Sequence, residues 1–256
     1  MSDNSENPKS ILICGESGAG KSASLMGIKD RKDVLYLNCE NGKPLPFKNN
    51  FKRKTITDPE DIIDYLEQLI EMQDEGEGQP FNFVVIDTLS FLMDMYETEH
   101  VLGARDTQKM WGQYGQFYPR LMSLSAKLDA FFIFLGHLDA FLDENEGLMK
   151  YSVPVKGALA KKGLEARFTT VIYVRKMTIK DILKGVGGTP SSLLNITPRE
   201  EAKGFKHVFL TDTDKHTMGG RIRTPMGMFN EDELYIDNDV QPVLKRLIEY
   251  YAEEDE

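Results

Sequence analysis

The chain has 256 residues, of which 41% are hydrophobic and 28% are charged, and its formal net charge is −10. These proportions are ordinary for a globular protein, and the apolar runs are too short to span a bilayer. The polar N-terminus lacks a signal-peptide core, so we expect no membrane association. The acidic balance argues against a general nucleic-acid-coating protein, although basic residues can still be segregated on one surface.

The two cysteines, Cys14 and Cys39, lie near the ends of predicted strands. We expect them to be buried reduced thiols, which indicates a cytoplasmic protein. No cluster of cysteine and histidine has the spacing of a zinc site.

Short apolar runs alternate with helix-compatible segments over the first 175 residues. We predict strands over residues 10–14, 34–37, 54–57, 83–87, 130–136, 169–174, 205–211 and 221–224. We predict helices after residue 21, after residue 58, and over residues 117–128, 157–168 and 240–251. The alternation predicts an α/β fold in a single domain, with a mainly parallel central sheet and helices on both faces.

The same pattern divides the chain into a flexible N-terminus (1–9), a core (10–238) and a C-terminal helix with an acidic tail (239–256). Residues 138–156 show no clear period and are predicted to form a loop. The glycine-rich segment 179–204 is predicted to be an irregular insertion in the core. Asp239 is a candidate cap for the last helix.

Residues 15–22 have the spacing G-x-x-x-x-G-K-S of a phosphate-binding P-loop. Glycines let backbone N–H groups approach a phosphate closely, the lysine supplies positive charge, and the serine hydroxyl is a magnesium ligand. A glycine-rich turn without a ligand is the alternative, but a strand before and a helix after favour nucleotide binding. The predicted nucleotide-binding residues are Gly15, Glu16, Ser17, Gly18, Ala19, Gly20, Lys21, Ser22 and Ala23.

Three polar residues follow buried strands, and the carboxyl ends of parallel strands line the ligand crevice of such a sheet. Asp87 is predicted to hold Mg²⁺ together with Ser22; the alternative is a helix cap. Glu40 could orient an attacking water or be an ordinary loop acid. His137 could hydrogen-bond a terminal phosphate or be a structural histidine.

Basic residues are concentrated in two places. Arg221 and Arg223 flank Ile222 in a predicted strand and would point to one face. Their shared anionic partner could be a neighbouring subunit's nucleotide, a nucleic acid or a carboxylate on the surface, and the alternative is a solvated strand face. Residues 147–176 contain seven basic residues and one acid.

These features, in this order, resemble the core of RecA, and the resemblance runs from residue 11 to residue 229. It implies a RecA-like P-loop NTPase fold, with ATP and Mg²⁺ as cofactors and an ATPase activity. Lys21, Glu40 and His137 would act at the bound nucleotide, and Arg221 and Arg223 at that of a neighbouring subunit. His137 departs from RecA, which has glutamine there, and both arginines replace lysines.

The segments from residue 88 to 111 and from 138 to 159 resemble the two DNA-facing loops of RecA. This resemblance makes candidate DNA contacts of Lys150, Lys156, Lys161, Lys162 and Arg167. The aromatic residues Trp111, Tyr114, Phe117 and Tyr118 could stack on bases, but helix-face aromatics usually belong to the core.

A compact RecA-like core without flanking domains is similar to the single-strand annealing ATPases of bacteriophages. It implies single-stranded DNA, further copies of the chain in a filament or ring, and a single-strand-binding protein as partners. Hydrolysis would depend on DNA and on oligomerisation. The alternatives are a DNA helicase or packaging motor, and an ATP-gated interaction module for replication or recombination partners.

Overall fold

The computed structural model describes residues 9–252. The predicted flexible N-terminus and acidic tail therefore lie outside the described residues, apart from Lys9. The backbone carbonyl of Lys9 accepts a hydrogen bond from the N–H of Phe132 at 2.8 Å, so this residue is attached to the sheet. Across residues 9–252, no helix has both the length and the apolar character that crossing a membrane requires.

The described chain forms strands and helices in alternation. The strands are β1 (Ser10–Gly15), β2 (Val34–Asn38), β3 (Lys52–Thr55), β4 (Phe83–Asp87), β5 (Phe131–His137), β6 (Asp139–Asp143), β7 (Leu148–Ser152), β8 (Thr170–Thr178), β9 (Phe205–Leu210) and β10 (Tyr235–Asp237). The α-helices are α1 (Glu60–Asp74), α2 (Leu89–Tyr96), α3 (Thr107–Lys127), α4 (Gly157–Lys162), α5 (Ile179–Gly185), α6 (Pro198–Lys203) and α7 (Val240–Ala252). Short segments of 3-10 helix occur at Ser22–Ile28, Leu164–Arg167 and Glu231–Glu233, and a π-helical turn at Glu97–Val101.

Eight strands form one sheet in the order β10-β9-β8-β1-β5-β4-β2-β3. Every pair from β8 to β3 is parallel, and only β9 and β10 are added in antiparallel fashion. The central strands are apolar almost throughout because both faces of a parallel sheet are covered. The predicted fold class, a mainly parallel sheet in a single α/β domain, is confirmed.

Alternate residues of the strands enter two separate hydrophobic cores. Leu12 and Cys14 lie in the core that α1, α2 and α3 cover. Ile11 and Ile13 lie in the core formed with the 3-10 segment after the P-loop and with α7. Helices therefore cover both faces of the sheet, as predicted. Cys14 and Cys39 are buried free thiols, which agrees with the sequence-based prediction.

The prediction of a loop over residues 138–156 is wrong, because β6 and β7 form an antiparallel hairpin there. Its tip turns through Gly147, whose φ of +62° favours glycine. Most of the hairpin is solvated on both sides, so the sequence lacks the alternation of polar and apolar residues that reveals a half-buried strand.

The prediction of a strand over residues 221–224 is also wrong. This segment makes one isolated bridge, in which Arg223 and Val171 exchange both backbone hydrogen bonds. Pro225 has no N–H to continue a ladder. The eighth strand of the sheet is instead β10, a three-residue strand too short to be found from periodicity.

Two further predictions differ in detail. The predicted irregular insertion, 179–204, contains two short helices, α5 and α6. Helix α3 begins ten residues before the predicted start, at Thr107, where the Asp106 side chain accepts a hydrogen bond from the Lys109 N–H. Met110, Tyr114, Phe117 and Leu121 have the helical spacing that indicates this longer helix.

Candidate functional site

The parallel register brings four strand ends to one edge of the sheet. Gly15 at the end of β1 is paired with His137 at the end of β5. Asn38 at the end of β2 is paired with Asp87 at the end of β4. The predicted polar residues therefore meet around the loop that follows β1.

The P-loop has a conformation that depends on glycine. Gly18 and Gly20 have φ of +75° and +109°, in the region that side chains other than hydrogen rarely allow. A Cβ on Gly20 would also lie 2.7 Å from the Asn238 Nδ2 atom. The loop is thus built for close approach of its backbone to a ligand, as phosphate cradles are.

Two residues from the last part of the chain hold this loop from the side. The His207 Nδ1–H donates to the carbonyl of Ala19 at 2.6 Å, and Asn238 Nδ2 donates to the carbonyl of Gly20 at 3.0 Å. Neither residue was predicted from the sequence, because their contacts span 188 and 218 positions. No local motif marks them.

Lys21 lies with its side chain folded under the loop and is 6% exposed. Its ammonium donates to the carbonyls of Gly15 at 2.8 Å and Glu16 at 2.9 Å, and to His137 Nδ1 at 3.2 Å. Burial lowers the pKa of Lys21, because the charged form loses water. The three ammonium protons therefore have three acceptors in this arrangement.

Ser22 and Asp87, the two predicted magnesium ligands, are in direct contact. Ser22 Oγ donates to Asp87 Oδ2 at 3.0 Å, and the Tyr36 hydroxyl donates to the same oxygen at 2.6 Å. Asp87 Oδ1 is buried and has no hydrogen-bond partner among the described residues. Burial raises the pKa of Asp87, since the carboxylate is poorly hydrated.

These oxygen donors fit Mg²⁺, which prefers hard oxygen ligands and retains several waters beside one or two protein groups. Within residues 9–252 there is no cluster of three or more histidine, cysteine or acidic residues that could hold a metal alone. Ser22 and the orphaned Asp87 oxygen are therefore the groups that would hold the ion.

Glu40 lies at the same edge, between a lysine and a histidine. Its Oε2 accepts from Lys43 Nζ at 2.9 Å, and its Oε1 lies 3.5 Å from His137 Nε2, longer than an ordinary hydrogen bond. His137, and after it Lys43, lowers the pKa of Glu40 to about 2. The carboxylate is therefore ionised at neutral pH.

One cavity of about 340 Å³ joins these groups. A second cavity of about 210 Å³ lies on the other side of the P-loop, against β8, and lacks convergent carboxylates. The first is the candidate active site because the cation, the carboxylates and the imidazole all line it. Its lining comprises Ser17, Gly18, Gly20, Lys21, Ser22, Ala23, Tyr36, Glu40, Lys43, Pro44, Leu45, Pro46, Asp87 and His137.

Arg221 and Arg223 lie outside this cavity and contact Glu165 of their own chain. Arg221 Nη1 donates to Glu165 Oε2 at 3.0 Å, and the Arg223 guanidinium donates to the Glu165 carbonyl. The Glu165 side chain is fully buried and also accepts from the Val153 N–H at 2.7 Å. Arg221 therefore pairs with the internal Glu165 carboxylate, whereas Arg223 bonds to the backbone carbonyl of the same residue. Action of either arginine on a neighbour's nucleotide stays a prediction.

The candidate DNA contacts separate into two groups. Lys150 is paired with Glu146 at 2.6 Å, and Lys156 with Glu97 at 2.8 Å. Lys161 and Lys162 are exposed in the last turn of α4 and make no ion pair with any described residue. Arg167 is half-buried in the following 3-10 turn.

The aromatic residues of α3 belong to the core rather than to a stacking surface. Tyr114, Phe117 and Tyr118 are buried in the core that α3 covers. The Tyr118 hydroxyl donates to the Leu164 carbonyl at 2.6 Å. Trp111 is partly buried and packs against Tyr114.

A family model described as an AAA domain matches residues 7–219. A search of curated proteins found no match. The matched segment includes the P-loop, Glu40, Asp87 and His137, and ends before the segment that carries Asn238.

Proposed function

This chain belongs to the AAA domain family of P-loop ATPases, and from that premise we propose that it is a RecA-like ATPase that binds single-stranded DNA and promotes strand annealing or recombination. The observation that carries the proposal is the meeting of Lys21, Asp87, Glu40 and His137 around one cavity. Each comes from the end of a different parallel strand or from the loop beyond it.

The residues that line the cavity have different roles in phosphoryl transfer. The P-loop backbone and Lys21 bind the phosphates of ATP, and Ser22 and Asp87 hold the magnesium ion. Mg²⁺, when bound, neutralises negative charge on the phosphate oxygens. Glu40 lines the same cavity as an ionised carboxylate, and its role is to orient the attacking water through a hydrogen bond.

Exposed lysines support the DNA part of the proposal. Lys161 and Lys162 are exposed at the end of α4, next to the segment that carries Glu165. Lysines of this kind neutralise phosphates without reading sequence, as a strand-annealing protein requires. The β6–β7 hairpin carries three acids at its tip, Asp143, Glu144 and Glu146, and one at its base, Asp139. We therefore do not assign the phosphate-binding surface to it.

The test is ATP hydrolysis with and without single-stranded DNA, over a range of protein concentrations. Lys21→Ala should abolish turnover, whereas Lys32→Ala, which changes an exposed lysine outside the cavity, should not. Turnover that rises with DNA and more than linearly with protein supports the proposal. If ATP turnover needs Lys21 but does not change when DNA is added, the proposed DNA binding is overturned. The protein would then be an ATPase with a different role.

The β6–β7 hairpin favours a second candidate, an ATP-gated interaction module. It begins two residues after His137, and it exposes Phe141, Leu142 and Met149, each at least 40% accessible. Exposed apolar residues grouped on one element are typical of protein interaction sites. ATP binding without any DNA binding, measured by anisotropy of a labelled oligonucleotide, would favour this candidate.

A further inference from the structure

The two carboxylate oxygens of Asp87 lie in unequal surroundings. Oδ2 accepts two hydrogen bonds, from the Tyr36 hydroxyl at 2.6 Å and from Ser22 Oγ at 3.0 Å. Oδ1 is buried and accepts none from any described residue. The two donors therefore orient the carboxylate so that Oδ2 accepts both hydrogen bonds and Oδ1 accepts none.

Tyr36 is placed to do this by the sheet itself. It lies in β2, which is hydrogen-bonded along its length to β4, and its register partner is Val85, two residues before Asp87. Tyr36 and Asp87 are thus diagonal neighbours on one face of the sheet, a separation that a tyrosine side chain can bridge. The Tyr36 ring is 2% exposed and packs against Phe51, so its position is set by the core.

The Ser22 hydroxyl cannot by itself hold Asp87, because the same hydroxyl is the predicted ligand of the metal ion. A phenol that takes no part in binding the ion keeps its hydrogen bond to Oδ2 whether or not the ion is present. Orienting contacts of this kind around a metal site are worth about tenfold or more in metal affinity.

We propose that Tyr36 is a positioning residue for the divalent cation: its hydroxyl fixes Asp87 so that Oδ1 remains free to serve the ion. The inference rests on the proposed ATPase function, since it assumes that a divalent cation binds with the nucleotide. It predicts that removing the hydroxyl weakens binding of the cation and leaves the phosphate cradle intact.

The experiment compares the wild type with Tyr36→Phe, which keeps the ring and removes only the hydroxyl. Binding of a fluorescent ATP analogue is measured first in EDTA and then at increasing Mg²⁺, and Mn²⁺ binding is followed by loss of the free-ion EPR signal. We expect similar nucleotide affinity in EDTA, and a half-saturating Mg²⁺ or Mn²⁺ concentration about tenfold higher in the variant.

Tyr235→Phe is the matched control, because the Tyr235 hydroxyl donates to Asp214 Oδ2 at 2.8 Å in a similar buried pair away from the cavity. An Asp87→Asn background supplies a second comparison, in which Tyr36→Phe should have no further effect on cation binding. An unchanged Mg²⁺ requirement in Tyr36→Phe, or an equal change in Tyr235→Phe, overturns the inference. A wild-type protein that binds no nucleotide overturns the proposed function instead.

Discussion

His137 Nδ1 accepts a hydrogen bond from the Lys21 ammonium at 3.2 Å, and this contact fixes the tautomer of the imidazole. An ammonium can only donate, so Nδ1 must be the unprotonated nitrogen. The proton of the neutral ring then lies on Nε2, which is 3.5 Å from Glu40 Oε1. The imidazole therefore lies between the P-loop lysine and the Glu40 carboxylate, hydrogen-bonded to the first and 3.5 Å from the second.

The first prediction concerns this link. His137→Ala should lower kcat for ATP hydrolysis by about a hundredfold, because Glu40 and Lys21 lose their common partner. His137→Gln should recover part of the rate, since an amide supplies one acceptor and one donor. Steady-state kinetics at saturating ATP measure the effect. A wild-type rate in His137→Ala would show that the imidazole is structural.

The second prediction concerns the pH dependence of stability that Glu40 contributes. Its folded-state pKa, about 2, lies below the ordinary value of 4.5. The contacts of the ionised Glu40 with Lys43 and His137 therefore stabilise the fold fully above about pH 4.5, and this stabilisation is lost as the pH falls towards 2. Urea unfolding of wild type and Glu40→Gln should differ at pH 6, and the difference should shrink steadily below about pH 4.5. A difference that widens on acidification would contradict the prediction.

The third prediction concerns the buried carboxylate of Glu165. Glu165→Ala should lower the free energy of unfolding by about 1–3 kcal/mol, because the buried Val153 N–H loses its acceptor and the partly exposed Arg221 loses its carboxylate partner. Urea denaturation measures the loss. Glu144→Ala, at the exposed tip of the hairpin, is the control and should change stability by less than about 0.5 kcal/mol. A loss at Glu165 no larger than that of the control would mean that the pair is not formed in solution.

The fourth prediction concerns DNA binding by α4. The double variant Lys161→Ala/Lys162→Ala should bind single-stranded DNA more weakly, and its affinity should depend less on salt, by about 0.7 in the log–log slope for each phosphate that is no longer neutralised. Lys150→Ala should have little effect, because Lys150 is already paired with Glu146. Titrations between low and moderate salt give both slopes. Equal salt slopes in the wild type and the double variant would mean that the DNA does not bind at α4.

The sequence predicts most of the fold and the location of the candidate site for one physical reason. Parallel strands carry unbroken apolar runs, and polar residues at their carboxyl ends are brought to one edge by the register. Glu40, Asp87 and His137 are all found by this reasoning, and the P-loop by its spacing.

Residues that contribute through distant contacts are not predictable in this way. Tyr36 lies inside an apolar strand, where a tyrosine is indistinguishable from any other core residue until its hydroxyl is seen beside Asp87. His207 and Asn238 come from the far edge of the sheet. The pairing of Arg221 with Glu165 depends on a tight turn at Gly163, where φ is +73°.

The hydrogen bonds from His207 and Asn238 to the P-loop carbonyls connect the β9–β10 edge of the sheet directly to the proposed phosphate site. Helix α7 begins two residues after Asn238. A force on that helix would therefore be transmitted to the P-loop through the hydrogen bond between the Asn238 side chain and the Gly20 carbonyl. A force that pulls α7 away from the P-loop would then weaken phosphate binding, and a force that presses it towards the loop would strengthen phosphate binding.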